Sequence, residues 1–149
     1  YREDTVGYPD ACRQEVEPQL SWLDRVLTDA REDWVIVVGH HPIFAQTEKS
    51  EKERLDMQRR VDPVLRRHDN VAMYVCGHLH TFHIRRQGTD IDYVVNSSAS
   101  LSREVSPIEG TQFCSGATGF SLVAADKDRL CLYMLDKDGK VLHTVSKTR

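Results

Sequence analysis

None of the four cysteines, Cys12, Cys76, Cys114 and Cys131, forms a Cys-x-x-Cys pair, which removes the spacing of a zinc ribbon or a thioredoxin-type redox centre. Scattered in this way, they fix neither a disulfide pattern nor a redox compartment. No apolar run approaches the ~18 residues that cross a bilayer, so no membrane partner is expected. The opening Tyr1-Arg2-Glu3-Asp4 lacks the charged and apolar regions of a secretion signal. Positive charge is not in excess either: 20 Lys and Arg stand against 23 Asp and Glu, a net charge of -3 that offers no basic field to a nucleic-acid backbone. A glycine-rich phosphate loop and a Gly-x-Ser-x-Gly elbow are both missing, so P-loop NTPase and serine-hydrolase chemistry lack their key residues.

What is present is the composition of an ordinary folded domain. Hydrophobic residues make up 40% and charged residues 29% of 149 residues, enough chain for one compact core over residues 1–149. The chain opens without an initiator Met in a polar stretch, which reads as a processed or truncated piece of a longer domain.

Leu20, Leu23, Val26, Leu27 and Ala30 recur at helical spacing with Ser21, Asp24, Arg25 and Asp29 between them, predicting an amphipathic helix with Pro18 near its first turn. Trp34-Val35-Ile36-Val37-Val38 is a continuous β-branched run without alternation, predicting a strand buried on both faces. Met57, Val61, Val64 and Leu65 stand at i, i+4, i+7 and i+8, predicting a second surface helix bent near Pro63. Its Arg59-Arg60 and Arg66-Arg67 pairs read as a solvated face with carboxylates among the cations, against the alternative of a phosphate patch. Val71 to Cys76 repeats the buried-strand signature, completing a βαβ unit whose right-handed crossover places both strand C-termini at one edge. From Thr81 onward, strands are predicted at Phe82–Arg86, Ile91–Val95, Gly119–Ala124, Leu130–Leu135 and Val141–Val145, mostly antiparallel. Gly88, Asp126-Lys127-Asp128 and Asp136-Lys137-Asp138-Gly139 mark the turns.

The chemistry gathers at the ends of the two buried strands. The first runs into Gly39-His40-His41-Pro42 and the second into Gly77-His78-Leu79-His80, so four of the seven histidines sit where ligands collect in open α/β sheets. An extended backbone from His78 to His80 projects both imidazoles to one side, where they address one site or two adjacent ones, and with His40 they predict a metal-binding role for the three. His41 follows a ligand directly and points elsewhere, either to the cleft rim as a proton donor or to a structural hydrogen bond. His68 reads as a helix C-terminal dipole partner, and His83 and His143 as structural. Asn96 to Ser100 offers hydroxyls and amides to an oxyanion, or simply forms a capped loop.

The two histidine turns resemble the last two metal-binding motifs of calcineurin-like metallophosphoesterases, and the wording of Gln19-Leu20-Ser21-Trp22-Leu23, Ala30-Arg31-Glu32-Asp33-Trp34 and Val75-Cys76-Gly77-His78-Leu79-His80 resembles the purple acid phosphatases of the tartrate-resistant type. The resemblance implies a four-layer αββα sandwich, of which this chain forms the C-terminal half: a βαβ unit followed by mostly antiparallel strands. It implies two metal ions, Fe(III) beside Fe(II), Zn or Mn, with His40 and His78 on the divalent ion and His80 on the ferric one. It further implies hydrolysis of a phosphate monoester, on a small molecule or a protein, by a metal-bound hydroxide; His41, read from its place beside a ligand, is the candidate catalytic proton donor. An extracytoplasmic location, periplasmic, secreted or lysosome-like, is implied by the family alone.

The departures are as informative as the match. The family's first-half motifs, Asp-x-His-like, Gly-Asp-x-x-Tyr and Gly-Asn-His, which supply the ligating aspartates with a tyrosine, an asparagine and a histidine, do not occur here, so the N-terminal half of the domain is an expected partner. Lys49 stands nine residues after His40, where the family has a second cleft histidine; a lysine holds phosphate as a point charge and is a poorer proton donor. Three neutral imidazoles do not neutralise a trivalent ion. The alternatives are a phosphodiesterase of the same superfamily, a metal-free binding module on the same sandwich, and a structural zinc site, for which Cys76 lies too far inside its strand to be an obvious fourth ligand.

Overall fold

The computed structural model describes residues 8–46, 51–97 and 99–149. A short helix, α1 (Tyr8–Cys12), precedes α2 (Val16–Asp29), where Leu20, Leu23 and Leu27 form the packed stripe. Pro18 falls in the first turn, where its missing N–H would have had no intrahelical acceptor. The carbonyl end is closed by Arg31, which donates to the Thr28 and Ala30 carbonyls at 2.8 and 2.9 Å, and by the Asn70 amide, which reaches Leu27 O at 3.2 Å.

The charged stretch expected as one bent helix is two, α3 (Glu51–Arg60) and α4 (Asp62–Arg66), with Pro63 in the first turn of the second. Its arginines are largely engaged: Arg60 pairs with Glu17, Arg66 with Asp62 and Arg67 with Asp24. That is the solvated, carboxylate-matched face and not a phosphate patch.

Strands β1 (Val35–Val38) and β2 (Val71–Cys76) run parallel and frame α3 and α4, giving the βαβ unit. β2 is buried almost throughout, whereas β1 is only half-buried and Val38 is 75% exposed. The expectation of burial on both faces is not met for β1 among the described residues, where it is the outer strand of a five-stranded sheet of order β1-β2-β4-β3-β5. Within that sheet β3 (Phe82–Arg85) is antiparallel to both β4 (Asp92–Val95) and β5 (Thr111–Ser115). Yet β4 runs parallel to β2, so the second half of the chain is not uniformly antiparallel. β5 had no signature in the sequence; Thr-Gln-Phe-Cys-Ser offers a single large apolar side chain.

A second sheet is a meander of β6 (Gly119–Ala125), β7 (Arg129–Asp136) and β8 (Val141–Thr148). Its turns are organised by aspartates: Asp126 Oδ1 accepts from the amides of Asp128 and Arg129, and Asp136 Oδ1 from those of Asp138 and Lys140.

Alternation along the central strands divides the core. Tyr74, Cys76, Tyr93 and Val95 face the helices and pack with Leu27, Val64 and Leu65; Met73, Ile84 and Val94 face the second sheet and pack with Leu130, Leu132, Met134 and Val145. The result is a helix–sheet–sheet order, with helical side chains feeding the first cluster only. Phe120 and Leu122 of β6 remain 42% and 53% exposed. The two sheets are tied by a buried charge: the Asp92 carboxylate on β4 accepts two bonds from Arg86, at 2.6 and 2.7 Å, and lies 3.1 Å from Lys147 on β8.

Candidate metal centre

Parallel pairing brings the ends of β1 and β2 to one edge of the sheet, and hydrogen bonds from backbone and side chain join the two turns there. Gly39 N donates to Val75 O at 3.0 Å, Gly77 N to His40 O at 3.3 Å, and the Tyr74 hydroxyl to His41 O at 2.8 Å. Past Gly77 the backbone leaves the extended region. His78 and His80 have φ of 70° and 59°, left-handed conformations that cost a non-glycine residue roughly 1–2 kcal/mol each. The extended geometry expected to aim both rings to one side is therefore replaced by a tight turn, in which Leu79 N also bonds Gly77 O at 2.8 Å.

The turn decides which imidazoles meet. His40, His41 and His78 gather with one ring nitrogen from each within 4.8 Å of the others, all three exposed. Ring centroids are 5.0 Å apart for His40 with His41 and with His78, and 4.6 Å for His41 with His78. His41, expected to point away, thus joins the group. His80 does not: it is partly buried, its carbonyl accepts from Arg103 N at 3.2 Å, and its Nδ1 is buried with no hydrogen-bond partner among the described residues. Lys49 lies outside the described residues, as does Ser98.

The gathered nitrogens fit a divalent ion. Two nitrogens on one tetrahedral zinc, each about 2.0–2.1 Å from it, lie about 3.3–3.4 Å apart. His78 Nδ1 and His40 Nε2 are 3.1 Å apart, close to that edge. Among the described residues no carboxylate joins the group, so these side chains bring no charge of their own and do not balance a trivalent ion. Cys76 is not a fourth ligand: its thiol is buried, donates to Val94 O at 3.4 Å, and burial pushes it up to about 12, far from the thiolate a metal needs.

The other candidates are occupied elsewhere. His68 Nε2 meets Asp24 Oδ1 at 2.8 Å, and that hydrogen bond, with Arg67 beside it, holds the Asp24 carboxyl below its ordinary range. Ser97 donates to Ala117 O at 2.7 Å, and Asn96 Oδ1 accepts from Ser121 on β6, so both side chains are engaged by the 117–121 segment. His143 stacks on Phe113 at 4.6 Å.

His83 is fully buried between β4 and β5, with Nε2 2.9 Å from Thr111 Oγ1. Burial, with the Arg85 cation adding to it, pushes its imidazole down to about 4. The folded state therefore holds His83 neutral while the unfolded chain takes up a proton near pH 6.5, so stability is full above that point and falls as pH drops toward 4. The loss is about 3 kcal/mol over that window. Thermal melting of the protein and of His83→Gln between pH 7 and 4 checks it: the variant should decline less steeply.

Tyr74 is absent from the residues the sequence singles out, although a polar-tipped ring in an otherwise aliphatic strand ending in Gly-His is a readable signal.

A mixed α/β sandwich with imidazoles clustered where parallel strands end places candidate metal ligands at the edge where open α/β sheets bind their ligands. Residues 5–82 match the calcineurin-like phosphoesterases, and the chain belongs to that family. It is 33% identical over 83 residues to tartrate-resistant acid phosphatase type 5 of Oryctolagus cuniculus, an alignment covering 56% of this chain and 25% of that enzyme. It is 30% identical over 103 residues to the 3',5'-cyclic adenosine monophosphate phosphodiesterase CpdA of Escherichia coli K12, covering 68% of this chain and 34% of the relative. The solved structure of GAP50, the anchor in the inner membrane complex of Plasmodium, superposes with a TM-score of 0.76 at 22% identity, over 89% of this chain and 42% of that one. The chain thus spans between a quarter and about two-fifths of the relatives it matches.

Proposed function

We propose that this chain supplies the imidazole face of a two-metal centre that hydrolyses phosphate monoesters. The observation that carries the reading is the meeting of His40, His41 and His78 at the ends of two parallel strands. In it, His40 and His78 hold a divalent ion, Fe(II), Zn or Mn. His80, whose buried Nδ1 has no described partner, faces the second ion, the ferric one. When bound, the ions supply Lewis acidity toward phosphoryl oxygens and activate water.

His41 stands close enough to its two neighbours to serve as the group that hands a proton to the departing alcohol. Lys49 is proposed to hold the phosphate as a point charge. The carboxylates that a ferric ion needs are assigned to a further, N-terminal part of the same domain, a reading supported by the length of the relatives. The family resemblance also supports a site of action outside the cytoplasm. No helix among the described residues is long and apolar enough to cross a membrane.

Turnover of p-nitrophenyl phosphate by the protein as its source makes it, lost on chelation and restored by added metal, is the expected result. Undiminished turnover by metal-stripped protein would overturn the proposal. A second reading, diester hydrolysis, is favoured by the alignment with the bacterial phosphodiesterase over 68% of this chain. Comparing that monoester with bis-p-nitrophenyl phosphate separates the two.

A further inference from the structure

Among the described residues, the two turns that carry the imidazoles are joined by two backbone–backbone bonds, by the ring nitrogens of His40 and His78 at 3.1 Å, and by the Tyr74 hydroxyl to His41 O. The last can be deleted by substitution without altering the backbone or an imidazole. Tyr74 lies on β2, four residues before His78, and pairs in register with Val37 of β1 and Tyr93 of β4. Its ring is 3% exposed and packs in the helix-facing cluster, so the hydroxyl is delivered from a fixed platform.

The contact is built from both sides. A Cβ on Gly39 would lie 2.2 Å from the Tyr74 hydroxyl oxygen, so the hydroxyl occupies the space that a side chain at position 39 would fill. Glycine is required there by close approach, not by a left-handed backbone; its φ is not among the positive ones. Removing the glycine or the hydroxyl breaks the same arrangement. Because one ring sits on the strand leading to His78 and grips the turn bearing His40 and His41, it couples the two halves of the cluster.

We infer that Tyr74 is a positioning residue: through the His41 carbonyl it sets the His40–His41 turn against His78 so that His40 and His78 address one ion with His41 held beside them. The inference rests on the metal reading above and is tested separately from it. Groups that orient ligands from behind change metal affinity about 10–100-fold when removed. Tyr74→Phe keeps the buried ring and removes the hydroxyl alone.

Zinc affinity of the full chain, measured by competition with a chromophoric chelator, should fall within that range in Tyr74→Phe, with metal-free melting nearly unchanged. Gly39→Ala should lower affinity in the same way. Its cost should shrink in a Tyr74→Phe background, where the added methyl no longer meets an oxygen. Unchanged affinity in Tyr74→Phe, or strictly independent effects of the two substitutions, overturns the inference. Should the unsubstituted protein bind no zinc, the metal reading fails by itself. The positioning claim is then decided on metal-free protein by imidazole NMR: broadened His40 and His41 signals in Tyr74→Phe support it, and identical spectra refute it.

Discussion

Replacing Asp92 by alanine is expected to destabilise the protein by about 3–5 kcal/mol, the usual cost of removing one partner from a buried ion pair. The carboxylate side chain is 1% exposed and is shared by two cations, Arg86 and Lys147. Removing it leaves both without the carboxylate that balances their charge, and the Lys147 side chain is itself only 12% exposed. Lys147 also donates to the Asp90 carbonyl, so the carboxylate anchors β8 of the second sheet to the β4 end of the first. Urea unfolding followed by far-ultraviolet circular dichroism measures the loss. In an Asp92→Ala background, Lys147→Met should recover part of it, because an apolar side chain needs no counter-charge. A loss under 1 kcal/mol in Asp92→Ala would mean that the sheets are held by the apolar cluster alone.

The second large effect concerns the metal. His78→Ala should weaken zinc binding by more than about 100-fold, since a ligand is worth more than the outer partners that orient it. His78 is the member of the cluster contributed by β2, and its Nδ1 forms the 3.1 Å edge with His40. His80→Ala, which removes a ring outside that cluster, should leave the first zinc equivalent bound and diminish a second. Calorimetric titration gives both stoichiometry and affinity. Equal losses in the two variants would show that His80 belongs to the first ion's ligand set after all.

The sheet and the place of the site were legible because they depend on backbone pattern. A β-branched run at 35–38, a continuous apolar run at 71–76, a helical repeat between them and Gly-His at both ends specify a βαβ unit with histidines at one edge. The side-chain geometry was not legible, because it depends on φ. An extended Gly77–His80 would send His78 and His80 together; the left-handed His78 and His80 instead accompany a cluster completed by His41. Burial of β1 was overestimated for a related reason, since a Val-Ile-Val-Val run reads the same at the centre of a sheet and at its edge. β5 depends on pairing with β3 more than on its own composition, so a window of its residues carried no signal. The Tyr74–Gly39 contact joins positions far apart in the chain and emerges only when the two strands lie side by side.

The left-handed histidines set stability against chemistry within the same four-residue turn. Glycine adopts such a backbone without the steric penalty, so His78→Gly or His80→Gly relieves roughly 1 kcal/mol of strain at each position while deleting an imidazole. A chain selected for thermal endurance alone would drift toward glycine at both places. One that keeps histidine there tolerates a weaker scaffold for the sake of its ring nitrogens.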